Sequence, residues 1–161
     1  MIRPALVTDA EALAALWNPW IRDTAITFNP VEKTTAEIAA MIRDRQAAGH
    51  GFWVAEDADL LGFVSYAQFR GGLGYATCME HSVILSPAAR GRGVGRALMQ
   101  VMEAHARAKG AHQMIAGVSG ENPEGRAFHA RMGYAEIAII PQAGYKFGRF
   151  MDLVLMQKFL T

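Results

Sequence analysis

Hydrophobic residues in this chain recur with two periods, and the switches between them mark out the elements. Met1 to Ala5 forms a short predicted strand. Thr8 or Asp9 can cap a helix in which Leu13, Leu16, Trp17 and Trp20 fall at i, i+3, i+4 and i+7. Pro19 predicts a kink or break near Asn18, sending Trp20 to Pro30 across the surface of a sheet. Thr34-Thr35-Ala36-Glu37 has the form of a capping box, and the helix it opens runs through Ile38, Met41 and Ile42 to Gly49. Phe52 to Glu56 and Leu60 to Phe69 read as strands of a hairpin around Asp57-Ala58-Asp59. Arg70-Gly71-Gly72-Leu73-Gly74 then reads as a hinge before a third strand, Tyr75 to Leu85.

Beyond Leu85, the residues Val94, Leu98, Val101, Met102 and His105 make one helical stripe, and Glu103 and Arg107 are spaced for an i to i+4 ion pair. The apolar run Gln113 to Val118 predicts a central strand buried on both sides. Asn122-Pro123 opens a further helix, with Asn as N-cap and Pro at the first position, and Gly133 ends it. Tyr134 to Ile140 and Phe150 to Phe159 close the pattern as strands, separated by the turn-rich Pro141 to Gly144 and by Tyr145 to Arg149. The order of helices and strands predicts an α/β or α+β architecture with a partly antiparallel sheet.

The junction after the third strand carries candidate chemistry. Val83-Ile84-Leu85 is followed by Ser86-Pro87 and then Arg90-Gly91-Arg92-Gly93-Val94-Gly95-Arg96, where a helix begins. A strand, a glycine-rich loop and a helix start aim consecutive backbone N–H groups, reinforced by the helix dipole, at one anion. Arg90, Arg92 and Arg96 add positive charge. The NTPase phosphate loop requires GxxxxGK followed by Ser or Thr, and the dinucleotide fingerprint requires GxGxxG. Gly91-x-Gly93-x-Gly95 fits neither, which disfavours a nucleoside triphosphate or NAD.

Composition narrows the partners. The chain has 161 residues, slightly over half of them hydrophobic, and a formal net charge of +1, so one domain over residues 1–161 and small partners are expected, with no nucleic acid. No signal core or membrane-spanning stretch is visible, and Cys78 is the only cysteine, which together predict a cytoplasmic protein. The five histidines show no ligand spacing, so no metal is expected. Cys78 itself reads as a buried strand residue, since no base is placed to activate it.

Arg90-x-x-Gly93-x-Gly95 after a strand resembles the coenzyme-A pyrophosphate motif of the GNAT superfamily of N-acetyltransferases. Glu121-Asn122-Pro123-x-Gly125, continuing through Phe128-His129 to Met132-Gly133-Tyr134, is similar to the second coenzyme-A motif of that superfamily. More narrowly, Glu80-His81-Ser82-Val83, Lys146-Phe147-Gly148-Arg149 and Met151-Asp152-Leu153 resemble the phosphinothricin and methionine sulfoximine acetyltransferase branch. The resemblance covers nearly the whole chain. It implies the GNAT fold, a twisted mostly antiparallel sheet flanked by helices, whose central strands splay to admit pantetheine. It also implies acetyl-CoA as co-substrate, a small amino-acid-like amine as acceptor, and a homodimer. In this branch an Arg commonly stands where this chain has Ala76, directly after Tyr75, which leaves Arg70 as the nearby candidate for an acidic group of the acceptor.

Direct attack on a thioester needs a free amine, yet aliphatic amines have a pKa of about 8 to 10, so a general base is required. Glu80, near the strand end that approaches the cofactor, is the candidate base, acting directly or through water. His81 points to the opposite face of a regular strand. Backbone N–H groups of Val83, Ile84 and Leu85 are the expected oxyanion donors. Asn122 or His129 is placed to assist the departing thiolate. Arg90 to Arg96 and Asn122 are thus assigned to the cofactor, and Phe28, Arg70, Tyr75 and Glu80 to the acceptor. Two other functions fit the same motifs: a protein or peptide N-acetyltransferase, and a non-catalytic coenzyme-A-binding module.

Overall fold

Alternation along the second strand sets out the architecture. In β2 (Phe52–Glu56), Phe52 and Val54 point to one face and Trp53 and Ala55 to the other, and all four are buried. A strand buried on both sides needs a layer on each, and the computed structural model, which describes residues 1–161, supplies both. Helices α1 (Ala10–Asp23) and α2 (Thr35–Ala47) cover Phe52, Val54 and Phe63 through Leu13, Trp17, Ile21, Ile38 and Ile42. On the other face, α3 (Val94–Ala108) and α4 (Pro123–Arg131) cover Trp53, Val64 and Tyr66 through Leu98, Met99, Met102 and Phe128.

The sheet has seven strands in the order β1-β2-β3-β4-β5-β7-β6. The others are β1 (Ile2–Pro4), β3 (Leu60–Gln68), β4 (Cys78–Leu85), β5 (Gln113–Ser119), β6 (Ala135–Lys146) and β7 (Arg149–Phe159). Every neighbouring pair is antiparallel except β4 with β5, which is parallel. The mixed, mostly antiparallel sheet with helices on both faces is the class the sequence pattern predicts.

Four local expectations need correction. Helix α1 runs through Pro19 to Asp23 without breaking. Pro19 removes the bond to the Ala15 carbonyl, but both residues are exposed, so water can take that acceptor. Asn18 also grips Lys33 through Oδ1 and Nδ2, at 2.8 and 2.9 Å. On α3 the buried stripe includes Met99 in place of the exposed Val101. Glu103 ignores Arg107 and is buried against Lys158 Nζ at 2.6 Å, while Arg107 Nε donates to the Leu160 carbonyl at 2.6 Å. The chain from Tyr75 to Thr77 lies outside β4, because Leu73–Tyr75 coils into a 3-10 turn.

The largest difference is the end of the chain. Pro141 to Arg149 is a continuation of β6 into a long hairpin with β7, with a register shift between Ile140 and Gly144. Lys146 pairs with Arg149 across Phe147-Gly148, which have φ of 53° and 73°. Two successive positive φ values match the hairpin turn whose twist suits the flanking strands.

Candidate functional site

The site begins where the parallel pairing stops. β4 and β5 are registered only from Cys78↔Gln113 to Glu80↔Ile115. Past that point β4 stays with β3 and β5 stays with β7, so a gap opens in the middle of the sheet. Phe69 N–H donates to the Cys78 carbonyl at 2.9 Å and Ser86 N–H to the Leu61 carbonyl at 2.8 Å. These fix the alternation of the antiparallel ladder, in which the Ile84 amide faces β3 and the Val83 and Leu85 amides face the gap. Ile84 therefore lines the gap with its side chain, not with its N–H.

One mouth of the gap is a cleft of about 510 Å³ between β4, α3 and α4. Gly91 and Gly93 both take φ of 74°, a left-handed conformation that favours glycine, and Gly93 is the N-cap of α3 with no side-chain cap. The first bond of the helix is Ala97 N–H to the Gly93 carbonyl, at 3.1 Å. No oxygen of the chain accepts from the amides of Gly91, Gly93, Val94, Gly95 or Arg96, so this turn is a row of free donors at a positive helix end. Gly95 lets Leu85 and Phe128 close in behind it, since a Cβ there would stand 3.0 and 3.2 Å from them. The arginines divide. Arg90 lines the cleft and pairs with exposed Glu124 at 2.8 Å. Arg92 turns to Asp57 of the β2–β3 turn at 3.0 Å, and Arg96 is exposed outside the cleft lining.

The other mouth is a smaller cleft of about 230 Å³, lined by Trp17, Ile26, Thr27, Phe28, Gly117 and Leu153 among others. Ile26, Val83, Ile84, Asn122 and His129 border both clefts and so join them. Glu80 lines neither cleft itself but sits beside Gly117, which does line the smaller one: its Oε2 is 3.2 Å from where a Cβ of Gly117 would be. None of the chain's ion pairs includes Glu80, and burial pushes its carboxyl above the usual range. A carboxylate so placed is a stronger base than an exposed one.

The loop that carries Ile26 to Phe28 is held by Lys146, a residue that the family resemblance includes without giving it a role. Lys146, at the end of β6, is buried, and its ammonium donates to the carbonyls of Ile21, Thr24 and Thr27 at 2.5, 2.7 and 2.8 Å. One cation thereby caps the C-terminal end of α1 and fixes the turn that presents Ile26 to Phe28. Phe28 packs on Gly144, where a Cβ would come within 2.5 Å of its ring. Arg149 lies apart from Lys146 in function, paired with Glu121 at 2.5 Å.

At the junction of the clefts, Asn122 Oδ1 caps α4 by accepting from the Gly125 amide at 2.9 Å. His129 Nδ1 is 2.7 Å from the Gly125 carbonyl, and His129 Nε2 is 2.9 Å from Nε2 of His81. His81 is on the face of β4 opposite Glu80, as a regular strand requires, and its partnership with His129 had no signal in the sequence. Burial lowers the pKa of both rings, with His81 pushed down to about 3. Arg70 and Tyr75 line neither cleft. They stack on each other in the β3–β4 connection, with the guanidinium 5.6 Å from the ring centre. Cys78 is half-buried, and burial together with Glu80 raises its thiol pKa. No group of three or more His, Cys, Asp or Glu side chains is gathered where it could hold a metal. No helix is long and apolar enough to cross a membrane.

A sheet split between its fourth and fifth strands, with free amides at the start of the next helix, makes a site suited to an anionic ligand that reaches into the sheet. Residues 14–134 match the model of the Acetyltransferase (GNAT) family, and the chain belongs to that family. It is 35% identical over 158 residues to the L-methionine sulfoximine/L-methionine sulfone acetyltransferase of Pseudomonas aeruginosa, covering 97% of this chain and 92% of that protein. The structure of the acetyltransferase yncA of Salmonella typhimurium with its cofactor acetyl-CoA matches with a TM-score of 0.95 and 33% identity, over 100% of this chain and 94% of that one. A ribosomal-protein-alanine N-acetyltransferase from Brucella melitensis is also 33% identical, with a TM-score of 0.94 and 99% of each chain covered.

Proposed function

We propose that this chain transfers the acetyl group of acetyl-CoA to the primary amine of a small amino-acid-like molecule of the methionine sulfoximine, methionine sulfone or phosphinothricin type. The observation that carries this is the end of β4–β5 pairing at Glu80, beyond which a cleft edged by free amides joins a small cleft whose wall residue Gly117 has the half-buried Glu80 carboxylate behind it. The amides of Gly91, Gly93, Val94, Gly95 and Arg96 suit a diphosphate, with Arg90 beside them. Acetyl-CoA supplies an activated acetyl group and a thiolate leaving group. Glu80 removes the proton that the amine sheds as its bond to the acetyl carbon forms, directly or through water. The Val83 amide, free on the gap side, polarises the carbonyl oxygen. Asn122 and His129 border the place where the sulfur departs.

The small cleft has no arginine or lysine in its lining, so an acidic group on the acceptor would meet its cation at the rim or on a second copy of the chain. A second copy is part of the proposal. β6 is an edge strand with Ile137, Ile139 and Ile140 exposed, and Tyr145, Phe147 and Phe150 continue that apolar surface along the hairpin. An uncovered edge of this kind favours a homodimer. A cytoplasmic location completes the proposal, where free thiols and acetyl-CoA coexist.

A second acceptor class has support in the likeness to the ribosomal-protein-alanine enzyme. One assay separates the two. Thiol release from acetyl-CoA is followed with methionine sulfoximine, methionine sulfone, phosphinothricin, the common amino acids, and peptides beginning with alanine. Turnover with the first three supports the proposal, and turnover confined to peptides replaces it with the second class. Binding of acetyl-CoA without turnover on any amine leaves a coenzyme-A-binding module.

A further inference from the structure

Two imidazoles meet at the junction of the clefts, and the groups around them fix which protons they carry. His129 Nδ1 lies 2.7 Å from the Gly125 carbonyl oxygen, which can only accept, so that nitrogen bears a proton. A neutral His129 then has a bare Nε2. The nitrogen facing it at 2.9 Å, Nε2 of His81, must supply the proton between them. A neutral His81 has none left for Nδ1, and Nδ1 is a buried atom without a hydrogen-bond partner. A buried acceptor left unmet costs less than a buried donor left unmet, so this independent observation agrees with the assignment.

The Ile115 carbonyl at His81, and the Gly125 carbonyl and Glu103 charge at His129, favour an imidazolium, but burial outweighs them and holds both rings neutral. Tyr134 meets both rings edge-on, with centroids at 5.6 and 5.3 Å, and turns its hydroxyl to Glu103 at 3.4 Å. The Glu103 carboxylate is already held by Lys158. Tyr66, opposite His81 in the β3–β4 register, has its hydroxyl engaged by His105 Nδ1 at 2.9 Å, and Phe128 presents an edge to His129. No carboxylate hydrogen-bonds to either ring.

We infer that His81 is a positioning residue: its Nε2–H occupies the lone pair of His129, locks that ring as the neutral Nδ1–H tautomer, and denies the departing sulfur a proton from His129. The inference rests on the acetyl-transfer reading of the joined clefts. The sulfur leaves with the electron pair of its bond to the acetyl carbon and takes a proton from solvent. Asn122 is the group left to brace it, because Oδ1 is committed to the Gly125 amide and Nδ2 is free to donate. Gly125 thus orients both side chains, its N–H holding Asn122 and its carbonyl holding His129.

The test compares the wild-type chain with His81→Gln, whose amide nitrogen can stand where Nε2 stood, and His81→Leu, which has no donor. Imidazole 15N shifts of the labelled wild-type protein at neutral pH should show His129 protonated on Nδ1 only. Gln should preserve the hydrogen-bonded shift of His129 Nε2 and keep kcat within about threefold, whereas Leu, with the Nδ1 bond to Gly125 still made, should move Nε2 to the shift of an unbonded imidazole nitrogen and lower kcat by about tenfold or more with the KM for acetyl-CoA unchanged. A wild-type His129 protonated on Nε2, or charged at neutral pH, overturns the lock whether or not either variant folds. Equal kcat in folded Gln and Leu variants overturns the positioning role. Absence of turnover with every acceptor overturns the transfer reading and the role with it, while the 15N result still decides the tautomer.

Discussion

The two clefts are built by different means. The larger takes its donors from backbone, namely left-handed glycines, an uncapped helix start and amides released by the split sheet, all within one run from Val83 to Arg96, while Trp20, Ile26 and side chains of α4 form the rest of its wall. The smaller is lined mostly by side chains from distant elements, with Trp17 from α1, Phe28 from the loop beyond it, Ser82 from β4, Val118 from β5 and Leu153 from β7. Backbone donors recognise a diphosphate whatever the neighbouring side chains are, so that cleft suits an invariant cofactor. Side chains can be exchanged one at a time, so the second suits an acceptor that differs between relatives.

The contrast is open to direct challenge. Glu80→Gln should lower kcat by about 10² or more, within the usual range for loss of a general base, while acetyl-CoA affinity in calorimetry stays unchanged. The same change should raise the melting temperature at neutral pH. Burial raises the native pKa of Glu80, so its ionisation favours the unfolded chain above the usual carboxylate range. The gain should vanish in acid, where the wild-type carboxyl is protonated in both states. Equal melting temperatures at neutral pH would place Glu80 in water.

Lys146→Met should cost about 2–4 kcal/mol in urea unfolding, because three carbonyls lose a charged donor. It should also raise the acceptor KM more than the acetyl-CoA KM. Gly93→Val forces a branched residue into φ of 74° and should weaken acetyl-CoA binding by about tenfold, with little change in the KM for the acceptor. Stability should fall as pH drops below about 6.5, approaching a slope of about 1.4 kcal/mol per pH unit from His81 alone. The native His81 stays neutral down to about 3 while the unfolded one takes a proton first, and His129 acts in the same direction. His81→Gln should flatten that slope. The smallest effect belongs to Arg90→Ala, a change of about threefold in acetyl-CoA KM, because its charge is exposed and shared with Glu124.

What the sequence made legible follows the same division. Arg90-x-x-Gly93-x-Gly95 after an apolar run was enough to find the first cleft, since strand, loop and helix are contiguous and their geometry is local. It overstated the arginines: Arg92 and Arg96 lie in the motif but not in the cleft, because a left-handed glycine on either side of Arg92 turns it toward Asp57. Glu80 was legible from strand position, and its freedom from ion pairs was not. Phe28 lines the smaller cleft, whereas Arg70 and Tyr75 stack on each other in the β3–β4 connection and line neither cleft. The His81–His129 contact was invisible, and Lys146 was legible only as part of a motif and not by its partners, since each contact joins elements whose separation along the chain carries no periodic trace. Pro19 misled for a related reason: a proline breaks a helix only where the lost acceptor cannot find water.

Lys146 also sets an order of assembly. Its ammonium holds carbonyls 119 to 125 residues earlier in the chain. During synthesis the first helix and the larger cleft can be complete while the turn carrying Ile26 to Phe28 still lacks its tether. Competence to select an acceptor therefore arrives last, when the final hairpin emerges and draws the two ends of the polypeptide together.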